Sequence, residues 1–212
     1  LKKCQQILSR ERESNPESLR SEDRVMVRAG KTNNMITSGI DKDGESLRLL
    51  VAQALRSYPT ESIHPFLEDK NVLVRSAAAR EVQIRGEFVS FQYAIGLLQD
   101  KRAYVREIGV FILGQHGTPT YPYKAESIAL ISERLTSDKS SAVRAAAAAS
   151  LGHLRAYEAI EFLIEAASDT SADVRGCVAF ALNGMKRRIR AREVLRTLRK
   201  DENGEVRFWA DE

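Results

Sequence analysis

The chain has 212 residues, room for one ordinary domain or a short repeat array, with 43% hydrophobic and 29% charged residues to supply a core and a large wetted surface. Its formal charge of +4 permits contact with nucleic acid or an acidic protein and demands neither. Two distant cysteines, Cys4 and Cys177, exclude a disulfide framework or a metal-ligand pair, and no apolar run is long enough for a membrane helix.

Taken in chain order, Leu1-Lys2-Lys3-Cys4 lacks the apolar core of a signal peptide and does not begin with Met. The expectation is a cytoplasmic protein whose natural first residues are missing, with Cys177 a buried thiol in a reducing compartment. Residues 1–45 predict an N-terminal extension, a short helix near 1–12 and then mostly irregular chain. Gly30-Lys31-Thr32 ends like a phosphate-binding loop, but Val25 stands where that motif needs its first glycine. From Glu45 to Ser57 the spacing of Leu47, Leu50, Val51 and Leu55 predicts an amphipathic helix that caps an array over 46–212 and ends at Pro59.

The array announces itself by self-similarity. Asp, four residues, Val and Arg recur as Asp69/Val74/Arg75, Asp100/Val105/Arg106, Asp138/Val143/Arg144, Asp169/Val174/Arg175 and Asp201/Val206/Arg207. The aspartates are 31, 38, 31 and 32 residues apart. Before each Asp runs an amphipathic stretch, such as Ile128, Ile131 and Leu135, or Ile160, Leu163 and Ile164. The Asp and its polar followers break that helix and can accept from the unpaired amides of the next. The second helix, rich in Ala and Gly from Arg144 to Gly152, suits close packing between neighbours. The longest spacing comes from Gly117-Thr118-Pro119-Thr120-Tyr121-Pro122-Tyr123, a loop whose tyrosines Tyr121 and Tyr123 either contact a partner or pack on the loop itself.

This pattern resembles the HEAT repeat family in its short variant. The resemblance implies an all-α fold, a right-handed α-α superhelix of about five helix pairs. It also implies that Asp69, Asp100, Asp138, Asp169 and Asp201 face Arg75, Arg106, Arg144, Arg175 and Arg207 in a hydrogen-bond ladder between repeats, a structural role. The second helices would line a concave face. Positions after each Arg then nominate Ser76, Arg80, Glu107, Phe111, Gly176, Phe180 and Phe208, and aromatic and Arg anchors single out Arg80, Phe111, Phe180 and Trp209. Phe111 and Phe180 serve equally well as core between repeats.

No catalytic motif stands out, and the expectation is a protein that is not an enzyme and needs no cofactor or metal. His64, His116 and His153 fall in different repeats, which argues against a zinc site, and His64 and His116 read as surface or capping residues. Glu158, Glu161 and Glu165 read as a solvated acidic helix face. Lys186, Arg187, Arg188, Arg190, Arg192 and Arg196, followed by Arg199 and Lys200, form the densest charge feature and suit either phosphate contacts or a wetted helix. DNA glycosylases and phycobilin lyases built on similar repeats resemble the chain in architecture alone.

A more particular resemblance runs from Glu45 to Ala210. It rests on Phe66-Leu67-Glu68-Asp69-Lys70-Asn71, Ser76-Ala77-Ala78-Ala79-Arg80, Tyr104-Val105-Arg106, Phe111-Ile112-Leu113-Gly114-Gln115 and Asn203-Gly204-Glu205-Val206-Arg207. These segments are similar to bacterial HEAT-repeat proteins encoded beside rearrangement-hotspot (Rhs) toxins, which serve as immunity proteins. The resemblance implies a protein partner, a toxin domain, bound by a chain that is monomeric when free. Nucleic-acid binding through the basic helix, or a general adaptor role, stays open beside it.

Overall fold

In the computed structural model the chain divides into two units, Leu1–Asn34 and Met35–Glu212. The structure describes residues 42–211, with side chains from Ser46 onward. The expected helix near 1–12, the irregular extension and Cys4 lie outside the described residues.

The described residues form eleven α-helices and no strand. The first helix, α1 (Lys42–Leu55), precedes five helix pairs. The first pair is α2 (Thr60–Ile63), which tightens into a 3-10 turn at His64–Glu68, with α3 (Val72–Arg85). The next two are α4 (Phe88–Leu97) with α5 (Ala103–Gln115), and α6 (Lys124–Ser137) with α7 (Ser141–His153). In the fourth, a 3-10 turn at Tyr157–Ala159 leads into α8 (Ile160–Ala166), paired with α9 (Ala172–Asn183). The fifth is α10 (Ile189–Leu198) with α11 (Gly204–Asp211). Helix α1 ends at Leu55, short of Pro59, which instead starts α2, where its fixed φ of −57° suits a helix N-terminus. Pro65 has no N–H to continue an α-helical ladder, and the chain passes to the tighter turn there.

The pairs stack into two layers. The second helices α3, α5, α7, α9 and α11 lie side by side in order, with α1 against α3, and pack on one another far more closely than the first helices do. Closer approach in one layer bends a stack toward that layer, so the second helices take the inner, concave side. Small residues permit it. Ala145 to Ala149 are all buried in α7. A Cβ on Gly114 would sit 2.4 Å from the Ser150 Cβ, and one on Gly152 would sit 2.9 Å from the Ala181 Cα. Opposite this layer Leu67, Leu97, Ile131, Leu135, Leu163 and Leu195 fill the space under the first helices. At the N-terminal end Arg85 ties α3 to the α1 turn. It donates to the carbonyls of Leu55 at 3.0 Å and Tyr58 at 2.8 Å, while Glu81 steadies it at 3.0 Å.

The inserted segment between α5 and α6 packs inward. The Gly117 amide donates to the Gln83 carbonyl at 2.9 Å, and the Tyr123 ring stacks on Phe91 with centroids 4.4 Å apart. His116 caps the C-terminus of α5, as the capping alternative has it, but lies in the same aromatic cluster and is 2% exposed rather than at the surface. His64 is buried too, stacked on Tyr93 at 4.3 Å and in contact with the Ser90 hydroxyl at 3.3 Å. His64 thus packs on Tyr93 of α4, and His116 on Phe91 of α4 and Tyr123 of the inserted segment.

Candidate functional site

Each Arg of the repeated motif first closes its own turn. Nη1 of Arg75, Arg106, Arg144, Arg175 and Arg207 donates to the carbonyl of the Asp six residues earlier and to the carbonyl after it. Each Asp Oδ1 accepts the backbone amide two residues on, at 2.7 to 2.9 Å. That local bond stops the first helix and starts the second. Three arginines then reach across to the next repeat. Nε and Nη2 fork onto Asp138 from Arg106 at 2.7 and 2.8 Å, onto Asp169 from Arg144 at 2.7 and 2.9 Å, and onto Asp201 from Arg175 at 2.7 and 3.0 Å. Burial pushes the Asp138 carboxyl up, and the Arg106 fork with the Ser140 amide more than reverses this, holding it below its ordinary value.

One rung is missing. The expected pairing of Arg75 with an aspartate across the repeat boundary does not form, because Asp100 is taken by Arg102 through Nε at 2.9 Å and Nη2 at 2.7 Å. Arg102 also pairs with Glu68, whose Oε1 accepts the Tyr93 hydroxyl at 2.8 Å. Arg75 instead lies over the Tyr104 ring, 4.7 Å from its centroid. The residue just before each second helix explains the difference: it is Asn71, Ser140, Ser171 and Asn203 elsewhere, and Arg102 here. A cation two residues from the aspartate competes at shorter range than one in the neighbouring repeat. Arg207 closes its own turn and has no further described repeat to reach.

The nominated concave-face residues divide. Arg80 is exposed, and Phe111 and Glu107 are half-buried. Burial pushes the Glu107 carboxyl up to about 7, against the opposing effect of the Arg75 charge. Phe180 is half-buried between His153, with centroids 5.4 Å apart, and Trp209 at 5.5 Å. Trp209, nominated as an anchor, is only 8% exposed because its indole packs under Phe180 and Phe208. Phe208, the residue directly after Arg207, carries the solvent-facing ring at 44% exposure. Ser76 turns inward, its hydroxyl donating to the Leu73 carbonyl at 3.2 Å, and Gly176 is buried. Tyr121 and Tyr123 are half-buried against the core, so the loop mostly packs its own tyrosines.

The basic run is not one surface. Arg188 lies over the Tyr157 ring at 5.4 Å and Arg190 pairs with Glu161, so both turn back toward the preceding repeat. Arg187 points to solvent. Lys186, Arg192, Arg196 and Arg199 gather instead around a cavity of about 220 Å³ with Asn183, Leu195 and Asp211. Burial pushes the Cys177 thiol up to about 12, which leaves it protonated and unreactive at neutral pH. Among the described residues no group of three or more His, Cys, Asp or Glu side chains is placed to hold a metal ion. No helix among them is long and apolar enough to cross a membrane.

Stacked helix pairs, tied through their turns and curved around a layer of second helices, define a helical-repeat scaffold, a fold that is typically non-enzymatic. The family model described as HEAT repeats matches residues 94–183 and again 128–212, and the chain belongs to the HEAT repeat family. Protein YibA of Escherichia coli strain K12 is 32% identical over 158 residues, covering 71% of this chain and 55% of that protein, and Protein YibA of Escherichia coli O157:H7 matches equally. The chain therefore spans about half the length of these curated relatives. The X-ray structure of Escherichia coli YibA superposes with a TM-score of 0.52 at 25% identity, covering 80% of this chain and 73% of that one. The crystal structure of an engineered protein gives 0.54 at 16% identity, covering 88% and 90%, a likeness of fold alone.

Proposed function

We propose that this chain is a non-catalytic protein-binding module that neutralises a cognate bacterial toxin in the cytoplasm by covering part of its surface, with the inner face of the second helices as the contact. The observation that carries the reading is Phe208, an aromatic ring 44% exposed on the second-helix layer and backed by the packed rings of Trp209 and Phe180. A rigid aromatic platform loses little side-chain entropy when a partner covers it. Arg80 and Phe111 extend the face toward the N-terminal repeats. The similarity of residues 45–210 to immunity proteins encoded beside Rhs toxins supplies the kind of partner. No bond is made or broken; the mechanism is occlusion.

The test is co-expression with the product of the adjacent gene, followed by gel filtration. Rescue of growth and a stoichiometric complex, both lost in Phe208→Ala with Arg80→Glu, support the proposal. Toxicity that persists beside a folded wild-type chain refutes the immunity role. A complex with a non-toxic protein through the same face would favour the adaptor reading. The nucleic-acid reading is weakened by the geometry, since Arg188 and Arg190 are engaged by Tyr157 and Glu161 and the cations do not form one continuous track.

A further inference from the structure

We propose that the open pocket between the end of α9, the face of α10 and the end of α11 is a binding site for a phosphate-type oxyanion. Asp169 and Asp201 occupy equivalent turns 32 residues apart, so Arg192 and Arg196 of α10 and Arg199, which caps its end, stand where Ile160, Ile164 and Ala167 stand in the preceding pair. Those three are half-buried, and Ile160, Ala166 and Ala167 pack against the core. In α10 the same positions are cations, spaced so that all three project from one face of the helix.

The pocket they line is open to solvent, and two of its side chains are held in place. Arg199 is oriented by its Nε, which donates to the Ala210 carbonyl at 3.1 Å and pairs with Asp211 at 3.0 Å. Asn183 is anchored by its own bond to the Trp209 carbonyl at 3.1 Å. Lys186 enters from the turn before α10. Four cations thus surround about 220 Å³ with one carboxylate, Asp211, among the lining residues, and Arg199 already engages it. Among the described residues Arg192 and Arg196 have no carboxylate partner, although Glu133 and Glu161 on earlier first helices do hold arginines. Like charges held together repel unless an anion enters. At about 30 Å³ per water the volume admits a tetrahedral oxyanion with some of its hydration.

Guanidinium groups suit this ligand because their planar forks donate two parallel hydrogen bonds to phosphate oxygens. The ligand that fits is therefore a phosphate or phosphate ester. This site is separate from the second-helix face and does not depend on the toxin reading.

The experiment is calorimetric titration of the intact chain with inorganic phosphate, pyrophosphate and a short single-stranded oligonucleotide, each against chloride at equal ionic strength. Arg192→Gln with Arg196→Gln should weaken binding by about tenfold or more, the loss expected for charge-assisted bonds. Arg187→Gln, outside the cavity, should leave it unchanged. Both variants lie at exposed positions, and circular dichroism checks that they fold. Phosphate or pyrophosphate binding that the double variant removes assigns a small phosphate ligand. Oligonucleotide binding removed by the same variant, without a response to the small ions, assigns the phosphate to a nucleic-acid backbone. No heat beyond the chloride control with any probe, or binding that survives the double variant, overturns the site.

Discussion

Asp138→Ala and Asp69→Ala remove the same side chain from equivalent turns, yet they should differ sharply in cost. In both turns the carboxylate accepts the amide two residues on, at 2.9 Å from Ser140 and 2.7 Å from Asn71. Only Asp138 also receives a fork across the repeat boundary, from Arg106, and its side chain is 2% exposed against 15% for the arginine. Losing the turn bond alone costs about 1 kcal/mol. Losing the fork as well costs about 1.5–3 kcal/mol more, because its bonds are charge-assisted and Arg106 is part-buried. Against a total stability of about 5–15 kcal/mol, the second loss should be obvious in urea unfolding followed by circular dichroism. The difference should also shrink in acid. The Asp138 carboxyl is held below its ordinary value of 3.8 in the folded state, so its contribution is present above that pH and is lost as pH falls through the lower folded value. Equal midpoint shifts for the two variants at neutral pH would refute the claim that forks between repeats carry more stability than turn bonds.

The missing rung can be probed by a double-mutant cycle: Arg75→Ala should cost more in an Arg102→Ser background than in the wild type, because serine releases Asp100 to accept Arg75. Equal costs would show that Arg75 cannot reach it. Gly114→Ala should destabilise by about 1–3 kcal/mol, since its Cβ would meet Ser150 at 2.4 Å, whereas Gly96→Ala in α4 has nothing within 4 Å and should stabilise by about 0.5–1 kcal/mol; thermal melts decide both. Burial lowers His64 and His153, the latter to about 4, and lowers His116 with only partial relief from the Glu87 backbone. Each binds fewer protons folded than unfolded, so stability should fall as pH drops below about 6.5 and keep falling toward about 4. His153→Gln should show a smaller drop between pH 7.5 and 5, and an identical drop would refute its part in it.

Much of the architecture is legible in the sequence. The recurring Asp and Arg mark where each first helix stops and each second helix starts, because a short carboxylate closing on the amide two residues ahead is a local event. The apolar spacing of Ile128, Ile131 and Leu135 likewise specifies a buried face, since period and face are properties of one helix. Most of the expectations that changed concern groups far apart in sequence. Which carboxylate Arg75 obtains depends on whether Arg102 reaches Asp100 first, a competition whose signal was the arginine standing where the other turns have Asn or Ser. Whether Trp209 or Phe208 meets solvent depends on where α9 places Phe180, and helical spacing on α11 alone does not say. His64 and His116 are buried because Tyr93, Phe91 and Tyr123 close over them from other elements. The basic run divides because Glu161 and Tyr157 lie within reach of one part of it and the end of α11 within reach of the other. Local chemistry determines the helices and turns of this chain; contests between neighbouring repeats for the same carboxylate, ring or space are settled only when the repeats stack.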